Sequence, residues 1–257
     1  MSACTAVPRG IPAADWLRAA EALPLAGLDA LLPSGSALVL APHPDDESLG
    51  CGGLLAALAA AGRPGRVVVM SDGAGSHPNS RTHPAPVLRA LRRAEATEAV
   101  RALGTPPPVF LDWPDGDVPI EGPRFDRAVR AVAMAAEGFD TLVATIPLDP
   151  HKDHVATWAI ARAVAARSGL RLLGYPVWSW RHLYPAIAPV EPVELPAPPR
   201  GRRLDVAAHL PAKRRAVAAH RSQTTRLIAD DPDGFVLNEA VLAVLLRPYE
   251  LYLEEVP

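Results

Sequence analysis

The sequence predicts an α/β protein: a parallel sheet with helices on both faces, its strands in the order of about 3-2-1-4-5. Two observations predict it. Short apolar runs of strand length alternate with longer segments of helical apolar spacing from residue 37 to residue 177, as βαβ units require. The first two runs, Ala37–Ala41 and the Val-Val-Val-Met of Val67–Met70, read as buried strands, which suits a sheet covered on both sides. With 257 residues, 49% of them hydrophobic and 21% charged, the chain has ample material for a core. The expectation is one domain over 1–257, with a core of about 37–223 and helical or extended additions at both ends.

Taken in order, Ala13 to Leu32 reads as one or two short helices leading into strand one, Ala37–Ala41. That strand breaks at Pro42 and Pro44. Each proline fixes its own φ and biases the preceding residue towards extended backbone, so the turn around His43 is stiff. Ser48 to Ala61 is a Leu- and Ala-rich helix whose Gly50, Gly52 and Gly53 permit close approach to the sheet. Strand two is Arg66–Ser71. The stretch Asp72–Pro86, rich in Gly, Ser, Pro and Asn, is a long loop of the kind that serves as a lid or binding loop. Val87–Leu103 is helical and ends at Gly104 as a C-cap.

Pro108–Asp112 is strand three, followed by the loop Trp113-Pro114-Asp115-Gly116. Phe125–Glu137 is a helix, Thr141–Ile146 strand four, and Pro147–Lys152 a loop carrying His151. Asp153–Ser168 is a helix and Leu170–Val177 strand five. Beyond Val177 the pattern weakens: Pro185–Arg200 is proline-rich and extended, while Ala212–Arg221 and Glu239–Leu246 read as helices.

A net charge of -2 makes no electrostatic case for nucleic acid or an anionic membrane. The short basic clusters Arg200–Arg203 and Lys213–Arg215 read as solvated surface. Cys4 and Cys51 lie far apart without metal-ligand spacing, which points to no structural disulfide and a reducing cytoplasm. The start lacks the basic and apolar regions of a signal peptide, and no run of about twenty apolar residues suggests a membrane span.

In open α/β sheets, ligands bind beyond the carboxyl ends of the strands where the strand order reverses. His43, Asp45 and Asp46 follow strand one; His151, Asp153 and His154 follow strand four. With strands one and four adjacent, the two clusters face one crevice. Within each, two residues three apart can point the same way: His43 with Asp46, and His151 with His154. Two His and one Asp, with a fourth position left to water, fit a catalytic zinc site, and the same donors suit ferrous iron. Asp45, beside the turn yet not needed for coordination, can accept the water's proton. His151 can steady an oxyanion and protonate a leaving nitrogen. Asp153 can orient an imidazole.

Three other readings compete. The adjacent carboxylates can simply cap the following helix. They can be a glycosidase pair, but neighbours in one turn cannot flank a bond, and the histidines go unexplained. A dinucleotide site fails because Gly50-Cys51-Gly52-Gly53 lacks the G-x-G-x-x-G spacing. Elsewhere, His77 and His83 read as exposed, and His182, His209 and His220 as structural or solvent-facing. Trp113, Trp178 and Trp180 read as core, with stacking on a sugar as their alternative.

His43-Pro44-Asp45-Asp46-Glu47 together with His151-Lys152-Asp153-His154 resembles the PIG-L-type (LmbE-like) N-acetylglucosaminyl deacetylases. The resemblance implies a Rossmann-like fold, zinc held by His43, Asp46 and His154, Asp45 as general base, His151 assisting charge development on the amide, and Asp153 tuning the histidine. It extends to Arg92-Arg93-Ala94-Glu95, where Arg92 falls at the place of a sugar-binding arginine, and to Asp115, which matches a carboxylate that holds sugar hydroxyls. His220-Arg221-Ser222-Gln223 is similar to a late family motif. In two places the chain departs from the family: Lys152 stands where proline is common, and Asp149 where some members carry a mobile tyrosine. The resulting expectation is a zinc hydrolase that removes an N-acetyl or other N-acyl group from a 2-amino sugar in a glycoconjugate or small glycoside. Its alternative is a carbohydrate-binding protein whose metal only organises the pocket.

Overall fold

Ala37–Ala41 offers no polar side chain to either face, so it belongs in the middle of a sheet covered on both sides. In the computed structural model, which describes residues 11–33, 35–179, 194–195 and 198–255, it lies there, fully buried. The strands are β1 (Ile11–Pro12), β2 (Leu25–Ala26), β3 (Ala37–Ala41), β4 (Gly65–Ser71), β5 (Val109–Trp113), β6 (Thr141–Thr145), β7 (Arg171–Tyr175), β8 (Glu194–Leu195), β9 (Arg200–Asp205) and β10 (Tyr249–Glu255). β1 pairs with β8 in a sheet of their own; the other eight form one sheet in the order β2-β9-β10-β7-β6-β3-β4-β5. The five expected strands hold the expected order within it, with β3 parallel to both β4 and β6 and Val39 opposite Val67 and Val143.

The sheet is mixed, not wholly parallel as expected. β10 runs antiparallel to β7 and to β9, adding a reversed strand beyond the parallel five. These additions carry Arg-Gly-Arg-Arg-Leu-Asp and Tyr-Glu-Leu-Tyr-Leu-Glu-Glu, alternating or polar rather than continuously apolar. The pattern suits β9, which is partly exposed, whereas Glu250–Leu253 of β10 are buried between β9 and β7.

The period of two in β3 divides the core. Ala37, Val39 and Ala41 join one apolar cluster with α3 (Asp46–Ala60), α4 (Ala85–Ala102) and α7 (Leu210–Ala219). Leu38 and Leu40 join the other, with α5 (Gly122–Ala135) and α6 (Lys152–Ser168). The expected glycine contacts are real: a Cβ at Gly50 would lie 2.2 Å from the Tyr175 ring, and one at Gly53 2.4 Å from Val206. Among the described residues no helix is long and apolar enough to cross a membrane.

In the second basic cluster Arg214 and Arg215 are exposed as expected, but Lys213 is not. Lys213, on α7, is 1% exposed, and its Nζ lies 2.7 Å from Glu250 Oε1. The same carboxylate accepts from the backbone N–H groups of Gly53 (2.7 Å) and Leu54 (2.9 Å) and from the Tyr252 hydroxyl (2.8 Å). A charged side chain goes inside when its partner is fixed and fully bonded, and here the pair ties α7 and β10 to the middle of α3. Lys213→Met removes one member and leaves Glu250 buried without its counter-charge. It is expected to lower stability by about 3–5 kcal/mol, read from the midpoint of denaturant unfolding.

Candidate metal centre and cavity

The first junction is a turn between β3 and α3. Pro42 C=O accepts from Ser71 N–H (2.9 Å), so the turn continues the sheet's bonding before it leaves it. His43 N–H then donates to Asp46 Oδ2 at 2.9 Å, closing the turn on its own third residue. Asp45 occupies the N-cap position of α3 with φ 151° and ψ -28°, a conformation L-residues rarely adopt. Its side chain makes no capping bond. The helix-cap reading of these carboxylates therefore fails for Asp45.

The second junction runs from β6 into α6. His154 is fully buried, and its Nδ1 donates to Asp149 Oδ2 at 2.8 Å. Asp149 is fixed in turn by the N–H groups of Val177 (3.1 Å) and Ser179 (2.7 Å) and by the Ser179 hydroxyl. The position that looked like a departure from the family thus holds the imidazole that matters. His154 Nε2 is left with no hydrogen-bond partner among the described residues. It lies 3.3 Å from Asp46 Oδ2, the oxygen that His43 Nδ1 approaches to 3.2 Å.

Asp153, expected to tune a histidine, stands beside His43: its Oδ2 lies 3.2 Å from His43 Nε2, with Asp115 Oδ1 at the same distance. Both carboxylates are held by backbone. Asp153 accepts from Gly116 (2.7 Å) and Val118 (3.1 Å), and Asp115 from Gly75 (2.9 Å). His151 Nδ1 accepts from Asp153 N–H (3.2 Å), which places the proton of the neutral ring on Nε2.

The electrostatics follow. Burial alone would raise Asp46, but the His154 and His43 imidazoles hold it well below the usual carboxylate range. Burial opposes charge on His154, yet Asp46 and Asp149 lift it to about 9. Burial likewise disfavours charge on His43, and Asp115, Asp153 and Asp46 override it. His151 is lowered by burial and then by the two neighbouring histidines. Burial pushes Asp45 up to about 6 against the pull of the Arg92 guanidinium.

This donor set fits a divalent cation. One buried imidazole nitrogen lacks a partner, a second imidazole and a carboxylate oxygen converge with it, and each ring is oriented from behind by a carboxylate. Ligand atoms of His43, His151 and His154 lie within 4.8 Å of one another, as do those of His43, Asp115, His151 and Asp153.

Beside these residues is a cavity of about 320 Å³. It is lined by His43, Asp45, Asp46, Asp115 and His151 and also by Pro150, Trp178 and Phe235. Trp178 is thus a wall residue that also packs against the core, edge-on to Phe235 at 5.4 Å between ring centres. Trp180 and His182 lie outside the described residues. Arg92 also lines the cavity, but its guanidinium is committed to the turn. It donates to Pro44 C=O (2.7 Å) and Gly73 C=O (2.9 Å) and lies 3.2 Å from Asp45 Oδ2.

Several functional contacts escaped the sequence reading. Gln223 of the late motif lines the cavity with its Oε1 unpartnered among the described residues. His220, expected to be structural or solvent-facing, is buried against Glu47 (2.9 Å). His77 is buried, not exposed, and lies beneath Gly234, where a Cβ would meet its ring at 2.1 Å. The loop that holds it, from Asp72 to Pro84, is fastened to the 230–235 segment: Asp230 accepts from the N–H groups of Arg81 (2.8 Å) and Thr82 (2.9 Å), and Asp231 from Asn79 (2.8 Å).

The chain is similar in structure to several solved proteins. It superposes on the N,N'-diacetylchitobiose deacetylase from Pyrococcus horikoshii with a TM-score of 0.63 and 23% identity, over 88% of this chain and 85% of that one. Against the zinc-inhibited form of teicoplanin deacetylase Orf2 the TM-score is 0.55 with 20% identity, over 74% and 85%. The 4-carboxy-2-hydroxymuconate hydratase GalB from Pseudomonas putida gives 0.53 and 21%, over 72% and 78%. Likeness at these identities shows the fold. A search of curated proteins by sequence returns no match. Residues 38–165, which carry both junctions and the helices that follow them, match the family model described as GlcNAc-PI de-N-acetylase, and through them the chain belongs to the PIG-L family.

Proposed function

We propose that this protein is a zinc-dependent hydrolase that removes an acetyl group from the 2-amino group of a sugar, the sugar being part of a glycoconjugate or a small glycoside. The observation that carries the reading is the convergence of His43 and His154 on Asp46 next to an Asp45 whose carboxyl is not spent on capping its helix. The family's own description, a de-N-acetylase of a glucosaminyl lipid, supports it.

In this reading His43, Asp46 and His154 hold the ion, which when bound supplies a Lewis acid that polarises the amide carbonyl and lowers the pKa of water. Asp45 takes the proton of the attacking water, and its nearest cation, Arg92 at 3.2 Å, keeps the carboxyl aimed. His151 presents its Nε2–H, the tautomer set by Asp153 N–H, to the amide as charge builds on it. The C–N bond breaks, acetate leaves with the water oxygen, and the amine takes up the proton. Asp115 faces the cavity beside Gly75, where it accepts sugar hydroxyls. A cavity of about 320 Å³ lies at the small end of ligand pockets, roughly 300–1,000 Å³. That size suits one sugar ring, with the remainder of the conjugate outside.

Acetate release from an N-acetylglucosamine glycoside, lost on treatment with a chelator and restored by zinc, is the expected result. Binding of such sugars without release under any metal would instead make the protein a binding module. His154→Ala and Asp46→Ala are expected to lose zinc and turnover together, whereas His151→Ala keeps the metal; zinc retained at wild-type affinity by either of the first two refutes the ligand set. Asp45→Ala is expected to keep zinc and lower kcat by about two to four orders of magnitude, measured at saturating substrate.

A further inference from the structure

The strained residue of the site raises a question that its ligands do not answer. An aspartate at a helix N-cap ordinarily accepts from the N–H groups of the first turn. At Asp45 the Ser48 N–H goes instead to its carbonyl oxygen at 2.9 Å, which also accepts the helix's first ordinary bond from Leu49 N–H at 2.9 Å, and the carboxyl faces the cavity. A φ of 151° in a non-glycine residue is strained and persists only where the surroundings over-determine it. What over-determines it is Glu47. Its Oε2 accepts from Asp45 N–H at 3.0 Å, while its Oε1 accepts from Ser48 Oγ at 2.6 Å and from His220 Nε2 at 2.9 Å.

Glu47 and His220 are both buried, and neither lines the cavity. His220 stands between α7 and α8 (Arg221–Thr224), and its segment is anchored to α4 where Ser222 donates to Glu95 through N–H (2.8 Å) and Oγ (2.6 Å). A carboxylate gripped at both oxygens fixes the direction of the Asp45 N–H, and that direction sets the backbone angle that turns the side chain outward.

We propose that Glu47 and His220 are positioning residues that hold Asp45 in its strained conformation, so that its carboxyl serves the cavity rather than capping α3. The late motif His220–Gln223 thereby acquires its role: His220 acts through Glu47, Ser222 ties the segment to α4, and Gln223 reaches the cavity. This inference rests on Asp45 being the proton acceptor of the proposed reaction.

The test is a double-mutant cycle between His220→Leu and Asp45→Ala in the zinc-loaded protein, with an N-acetylglucosamine glycoside as substrate. His220→Leu alone is expected to lower kcat by about 10–100-fold, with KM and zinc affinity within about twofold of the wild type. In the Asp45→Ala background it is expected to cost less than about twofold, since nothing remains to be positioned. His220→Gln, which keeps a donor towards Glu47, is expected to restore most of the rate. A crystal structure of His220→Leu should show the Asp45 carboxyl turned onto the first-turn N–H groups. An equal loss in both backgrounds, a loss of zinc, or an unchanged Asp45 backbone in that crystal structure overturns the proposal. If His220→Leu does not fold, Glu47→Gln enters the same cycle with the same expected pattern, and additivity there overturns the proposal equally. An Asp45→Ala variant of near-wild-type rate would remove the general base, while a turned Asp45 in the crystal would still establish the positioning, so the two failures are told apart.

Discussion

A single carboxylate oxygen joins the two halves of the site. Asp46 Oδ2 accepts the His43 N–H and is approached by His43 Nδ1 and His154 Nε2, all within 3.3 Å. His43 and His154 are 111 positions apart in the chain, so this meeting depends on the pairing of β3 with β6. Their register, Val39 opposite Val143, leaves both strands ending at one level, with each turn entering a helix there. A slip of one residue would move every side chain of β3 to the opposite core. The precision of the site is therefore a property of the sheet's centre, where such a slip would exchange Ala37, Val39 and Ala41 for the larger Leu38 and Leu40 in two close-packed cores.

That placement concentrates buried charge at one end of the molecule. Asp45, Asp46, Glu47, Asp149, Asp153, His43, His154 and His220 are all nearly inaccessible to solvent. Buried ions are costly unless paired and fully bonded, and almost every one here is held by backbone N–H groups or a fixed partner. The starts of α3 and α6 help, because a helix N-terminus favours nearby negative charge. What this arrangement gains is orientation. Each imidazole is backed by a carboxylate, Asp149 for His154 and Asp153 with Asp115 for His43, so the rings cannot turn away from Asp46.

The parts of this structure that were legible in the sequence are those encoded locally. β3 announces itself because five apolar residues between proline and polar neighbours have few other places to go, and the i, i+3 pairs of both junctions fall within one turn of chain. The five parallel strands and their order followed from the same signals. β9 and β10 did not, because a strand that alternates polar and apolar residues on a sheet's flank looks like a charged surface segment, and Arg200–Arg203 was read as one. Lys213 was misread for the same reason: only the arrival of Glu250 from a distant strand makes its burial possible. His220 and Glu47 are 173 residues apart, and His77 is covered by a glycine from the 230s, so neither contact leaves a local trace. Asp149 was visible as a departure from a family pattern, but its bond to His154 depends on how the loop after β6 turns.

The fold by itself does not choose the reaction, since a hydratase and two deacetylases share it with this chain at nearly equal sequence identity. The choice must come from groups that one chemistry needs and another does not. Amide hydrolysis needs a base next to the attacking water and a donor on the nitrogen side, in fixed protonation states. In the proposed reaction Asp45 is the first of these, its side chain making no capping bond to α3. His151 is proposed as the second, its Nδ1 accepting from Asp153 N–H and the proton of its neutral ring left on Nε2. The cavity is lined by both kinds of group, carboxylates and imidazoles together with Trp178 and Phe235. Under the proposed reading an aromatic side chain there takes the apolar face of a sugar ring, and Asp115 its hydroxyls. In the proposed reaction the same cavity that holds the sugar is lined by His43 and Asp46, so its amide lies against the turn proposed to hold the ion, and walls and turn serve one step.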